Sequence, residues 1–188
     1  MNLSRRSVLH VGLSGLSLLV VHGGHSFASE NPEEKQNFTA GHASLEDSTN
    51  VASVAMHSMM GDPEENLRRI ERWCRKAHAA GASFAVFPEF CITGALLHDM
   101  DFATAGPIVN RAEELAIDRL EKICREYKLT IVVGTIERFD SRFRNSALVV
   151  GPSGYLTTYS KLHLGNAGEK AWFDPGDQLV VVTSQGWT

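Results

Sequence analysis

The chain is expected to be an α/β protein with a mixed sheet, and three observations lead there. Apolar runs rich in β-branched residues recur at 51–56, 84–87 and 130–134. Stretches with apolar residues at helical spacing separate them. Further on, a Gly-Pro-Ser-Gly turn at 151–154 joins two more runs, 145–150 and 155–159, as a hairpin. Apolar strands alternating with amphipathic helices indicate a sheet covered by helices, and the hairpin adds antiparallel neighbours to it.

The first run, VASVAM at 51–56, is a buried strand by composition. Asp62-Pro63-Glu64-Glu65 then supplies helix-start chemistry. Asp62 caps, Pro63 suits the first turn, and Glu65 completes a capping box. Leu67, Ile70, Cys74 and Ala77 form the apolar face of that helix, and Gly81 closes it. Phe84 to Phe87 is the next strand, which Pro88 ends. A second helix is expected near 111–128, facing inward with Ala116, Leu120, Ile123, Cys124 and Tyr127. The strand 130–134 and the hairpin follow, and LVVVT at 179–183 is expected as a final strand.

Composition is that of an ordinary globular domain, 43% apolar and 21% charged, in 188 residues. Residues 1–28 carry Arg5 and Arg6 and no acid. Ser4-Arg5-Arg6-Ser7 precedes a weakly hydrophobic stretch, Val8 to Val21, too short to span a bilayer comfortably. Ser26-Phe27-Ala28 offers the small residues that a signal peptidase accepts. Residues 1–28 are read as a signal peptide resembling the twin-arginine type, with Val8 and His10 departing from the usual pattern. That implies a periplasmic or secreted protein with no stable membrane anchor. Residues 29–49 are polar and acidic without apolar period, a disordered spacer. Without residues 1–28 the chain holds 16 basic and 22 acidic residues, a net charge of −6. With no Lys/Arg cluster, this argues against a nucleic-acid partner. Three widely spaced cysteines, Cys74, Cys91 and Cys124, form neither a disulfide framework nor a zinc motif.

Three ionisable residues stand out by position. Glu89 follows the strand 84–87 directly, between Pro88 and Phe90. Functional groups of α/β sheets gather beyond the carboxyl ends of strands, and apolar flanks desolvate a carboxyl in a way that suits a general base. A surface glutamate at a strand end is the plainer alternative. Lys161 emerges from the end of the hairpin, in Tyr159-Ser160-Lys161-Leu162-His163-Leu164, where a fixed positive charge can meet a developing oxyanion. A solvated lysine fits equally well. Glu169 lies in Gly168-Glu169-Lys170-Ala171-Trp172-Phe173-Asp174-Pro175-Gly176 and reads as a loop acid.

Taken in order, Phe87-Pro88-Glu89, Asn145-Ser146-Ala147, Tyr159 to Leu164, and Glu169 with Phe173-Asp174-Pro175-Gly176 resemble the nitrilase superfamily over residues 50–188. The resemblance implies an α-β-β-α sandwich of the nitrilase type, of which 50–188 would be the N-terminal part, incomplete at the C-terminus. It implies a hydrolase of non-peptide carbon–nitrogen bonds acting on a small amide, nitrile or carbamoyl compound. Glu89 would be the general base, Lys161 the stabiliser of the tetrahedral intermediate, and Glu169 the residue that positions Lys161 and substrate. No metal or organic cofactor is implied, and relatives assemble as dimers or larger spirals. The nucleophilic cysteine of the family follows the second glutamate, so here it is expected beyond Thr188, and the chain as it stands is expected to be inactive. Cys74 and Cys124 lie on helix faces as packing residues, and Cys91 is expected to line a pocket wall. The competing reading is a non-catalytic binding or assembly module that keeps half of the fold; on either reading the partner to look for is a second copy of the chain or a missing C-terminal half.

Overall fold

The computed structural model describes residues 7–13, 16–22, 49–95 and 101–187. The expected cleavage at Ala28 and nearly all of the spacer lie outside these residues. Ser7–Leu13 (β1) and Leu16–His22 (β2) pair antiparallel as a two-stranded sheet of their own. The body is a five-stranded sheet in the order β3-β4-β5-β6-β7. Val51–Ser53 (β3), Phe84–Val86 (β4) and Thr130–Phe139 (β5) run parallel. Arg142–Gly151 (β6) and Gly154–Ser160 (β7) return antiparallel, so the sheet is mixed as the sequence implied.

Helix Pro63–Ala79 (α1) begins as its sequence dictates: Glu65 N donates to Asp62 Oδ1 at 2.9 Å, and Pro63 occupies the first turn. The capping box is not reciprocal. The Glu65 carboxylate turns outward to Arg68, Arg69 and Arg72 instead. Helix Phe102–Tyr127 (α2) starts nine residues earlier than 111, capped by Asp101, whose side chain accepts from Thr104 N at 2.8 Å. Pro107 hides this start in the sequence, yet it lies early enough in the helix to be absorbed.

Leu67, Ile70 and Cys74 of α1 and Ala116, Leu120, Ile123 and Cys124 of α2 pack on Ala85, Ile131, Val133, Leu148 and Val150 of the sheet. Each fully buried Leu or Ile there contributes about 1.5–3 kcal/mol, so the helical layer is firmly held. The described residues thus form one helical layer packed on one mixed sheet. The run 179–183 is no strand: Leu179 and Val181 are 83% and 78% exposed, and none of its backbone groups joins a ladder. β-branched residues favour a strand only where a neighbouring strand offers partners, and among the described residues none lies alongside. Residues 184–187 close a small turn that touches the β5 start through Thr130.

Candidate active site

Glu89, Lys161 and Glu169 come from three different stretches of chain and meet. Glu89 stands just past β4, on a segment that crosses over β5. Phe87 N donates to Val132 O at 2.9 Å and Ile92 N to Gly134 O at 3.1 Å, which pins both ends of the crossing. Gly134 is what permits it: a Cβ there would lie 2.6 Å from the Glu89 Cα and 2.8 Å from Phe90 N. Phe90 adopts the left-handed region at φ 55°, a conformation that costs a bulky residue about 1–2 kcal/mol. Its ring stacks on Phe173 at 5.7 Å, and Gly94 N donates to its carbonyl at 2.7 Å. Strain held down by packing beside a carboxylate is a common sign of a working site.

Lys161 prolongs β7 by one residue. Its N–H donates to Asn145 O at 2.8 Å, and its carbonyl accepts from Gly176 N at 2.9 Å. Glu169 sits in the first turn of a short helix, Ala167–Trp172 (α3), not in a loop as the sequence suggested. Asn166 caps that helix by accepting from Glu169 N at 3.0 Å, and Glu169 Oε2 accepts from Gly165 N. The spacing Asn166-x-x-Glu169 is a helix-start signal that sequence reading overlooked. Beyond it, Asp174 N donates to Phe143 O and Arg142 Nε to Asp174 Oδ1, both at 2.8 Å, which ties the end of α3 to β6.

At the centre Lys161 Nζ donates to Glu169 Oε1 at 2.7 Å and to Glu89 Oε1 at 3.4 Å. The lysine side chain is 5% exposed, Glu169 12% and Glu89 29%. Burial disfavours the Lys161 ammonium, but the bond to Glu169 and the charges of Glu89 and Glu169 outweigh it, so its pKa rises above the ordinary lysine value. Burial likewise works against the Glu169 carboxylate, and the bonds from Lys161 and the Gly165 N–H win, holding its pKa below the usual range. Glu169 therefore stays a fixed anion that anchors a fixed cation. Glu89 is the most accessible of the three and is held by the longest contact.

The cysteines lie elsewhere. Cys74, Cys91 and Cys124 are all buried in the core between helices and sheet. Burial pushes the thiols of Cys91 and Cys124 up to about 12 and raises that of Cys74 as well. Cys91, expected to line a pocket wall, is fully buried, and the hollows described among these residues are not lined by it. The left-handed turn at Phe90 breaks the alternation of side chains and directs Cys91 inward, where Sγ donates to Gly134 O at 3.4 Å. A hollow of about 460 Å³ lies beside the site loop, lined by Leu162, His163, Leu164, Phe173, Asp174 and Pro175 among others. Among the described residues no group of three His, Cys, Asp or Glu is placed to hold a metal ion, and no helix is long and apolar enough to cross a membrane.

Comparison with known proteins bears on the family and the fold. A nitrilase of Pyrococcus abyssi is 33% identical over 131 residues, which cover 68% of this chain and 48% of that protein. An (R)-stereoselective amidase of a Pseudomonas species is 30% identical over 139 residues, covering 72% of this chain and 47% of the amidase. This chain thus spans about half the length of these two relatives. In solved structures, an amidase from Nesterenkonia sp. superposes with a TM-score of 0.59 at 24% identity, over 72% of this chain and 51% of that one. At that identity the likeness is one of fold. Residues 50–187 match the carbon–nitrogen hydrolase family, and the chain belongs to it.

Proposed function

We propose that this chain carries the acid–base and oxyanion machinery of an enzyme that hydrolyses a small amide, nitrile or carbamoyl compound by a Glu-Lys-Cys mechanism. The observation that supports it best is the clamped ammonium of Lys161 between two carboxylates that lie 72 residues before it and 8 after it. Glu89 takes the proton of a cysteine thiol, and the thiolate attacks the substrate carbon. Lys161 faces the negative charge that develops on the carbonyl oxygen or nitrile nitrogen bonded to the attacked carbon. Glu89 passes its proton to the departing ammonia or amine, then activates the water that releases the acid from the thioester. Glu169 holds Lys161 in place. None of the three cysteines faces this cluster, and on this reading the thiol comes from a residue other than these. Residues 1–28 direct export to the periplasm, and the substrate is a small molecule.

The amidase from Nesterenkonia sp. AN1 has been solved in complex with butyramide, which makes butyramide a reasonable probe. The test is ammonia release from butyramide, and from nitrile and carbamoyl analogues, by the natural gene product, or by residues 29–188 supplied with a C-terminal half. Loss of at least about a hundredfold in Glu89→Gln and in Lys161→Ala is expected. Release that survives both changes defeats the site assignment. The burial of all three thiols favours a second reading, a non-catalytic assembly module. Under it, no hydrolysis appears with either preparation.

A further inference from the structure

We propose that Asn145 is a positioning residue for Glu89, its side-chain amide giving the carboxylate a second hydrogen-bond donor during turnover; this rests on the hydrolase reading above. Strand register sets the geometry. Ser146 pairs with Ser160 and Ile136 with Asn145, so Asn145 stands directly across from Lys161, and the 2.8 Å bond from Lys161 N to Asn145 O confirms the pairing. The hydroxyls of Ser146 and Ser160 meet at 3.2 Å on one face of the sheet. Side chains alternate, so Asn145 and Lys161 share the other face, which also carries Gly134, Ala147 and Tyr159. That is the face over which the Glu89 segment passes at Gly134.

Asn145 is only 4% exposed, and its Nδ2 is buried without a hydrogen-bond partner among the described residues. An amide in such a place, beside Ile136, is costly unless an acceptor comes to it. Of the three charged groups of the cluster, one can serve as that acceptor. Lys161 Nζ is itself a donor. Both oxygens of Glu169 are engaged, one by Lys161 and one by Gly165 N. Among the described residues the Glu89 carboxylate holds a single long contact of 3.4 Å and has lone pairs to spare. When Lys161 turns to the oxyanion, that contact weakens, and the base needs another donor to stay aligned. A neutral amide does this without cancelling the charge that makes Glu89 a base. An arginine or lysine at 145 would cancel it.

The test uses the natural gene product with butyramide. In Asn145→Ala, kcat is expected to fall about 10- to 100-fold with KM within about twofold, and Asn145→Ser is expected to recover part of it. In the Glu89→Gln background, adding Asn145→Ala is expected to cost less than about twofold more, because the amide acts through Glu89. A full additional loss in that background, or a rise in KM with kcat kept, overturns the proposal. Hydrolysis unaffected by Glu89→Gln overturns the site assignment itself and is told apart by that single variant. A readout independent of turnover is the Asn145 side-chain amide signal in ¹⁵N–¹H spectra of nucleophile-blocked protein. It is expected to move downfield when butyramide binds and to stay put in Glu89→Ala; no response in protein with Glu89 intact refutes the role.

Discussion

Replacing Lys161 with methionine keeps the length of the side chain and removes the one cation between Glu89 and Glu169. The two contact distances place the facing carboxylate oxygens no more than about 6 Å apart. At an effective dielectric of about 20, two unit charges at that separation repel by about 3 kcal/mol. This agrees with the general cost of about 3–5 kcal/mol for breaking a buried ion pair by removing one partner. Lys161→Met is therefore expected to destabilise the protein by about 3 kcal/mol at pH 7. The penalty is relieved when one carboxylate takes a proton, so at about pH 4 the variant should come within about 1 kcal/mol of the parent. Urea unfolding of both proteins at the two pH values, followed by circular dichroism, measures this. An equal loss at both values would mean that packing, not charge, governs the cluster. A loss below about 1 kcal/mol at pH 7 would mean that the carboxylates are not held together at all.

The remaining predictions concern the frame of the site and its titration. Gly134→Ala pushes a methyl into the backbone of Glu89 and Phe90 and is expected to abolish hydrolysis, while a substitution at exposed Val181 leaves it intact; wild-type rates in Gly134→Ala would sink the crossing as the device that places Glu89. Glu169 is held below its ordinary pKa, so its contribution to stability is present above about pH 4.3 and is lost as pH falls through its folded value. Lys161 is raised, so its contribution is complete below about pH 10.4 and is lost as pH rises through its folded value. The share of the melting temperature that this pair contributes should accordingly be level between these limits, and Glu169→Gln should remove the acid-side dependence that belongs to this group. Cys74, Cys91 and Cys124 should resist iodoacetamide in native protein at pH 8 and react only in denaturant, as mass spectrometry would show. Native labelling of Cys91 would contradict its burial.

Much of the frame was legible in the sequence because it rests on local rules. The period of Leu67, Ile70, Cys74 and Ala77 forces one face of α1 inward, and the Asp62-Pro63 start fixes its beginning. Gly154 at φ 122° is the residue that the β6–β7 turn requires. The site residues were legible only as an ordered set of phrases, since Glu89, Lys161 and Glu169 taken singly look like ordinary surface charges.

What the sequence could not settle are the properties that depend on a partner distant along the chain. The run 179–183 has strand composition, but a ladder needs a neighbour, and composition does not supply one. The second helix was expected only from about 111, while Ala105 and Val109 pack beside Ile136 and Phe143 in a helix that begins at Phe102. Cys91 sits two residues after Glu89, and alternation would place it near the site. The left-handed turn at Phe90, held by Phe173 from 83 residues away, turned it into the core instead. By itself the sequence determined the family, the order of elements and the residue types that carry the chemistry. Only the tertiary structure decided that Lys161 is clamped between two carboxylates, and that a buried amide waits beside it. Distances between side chains are set by the register of strands, and register is fixed by contacts that no local window of sequence contains.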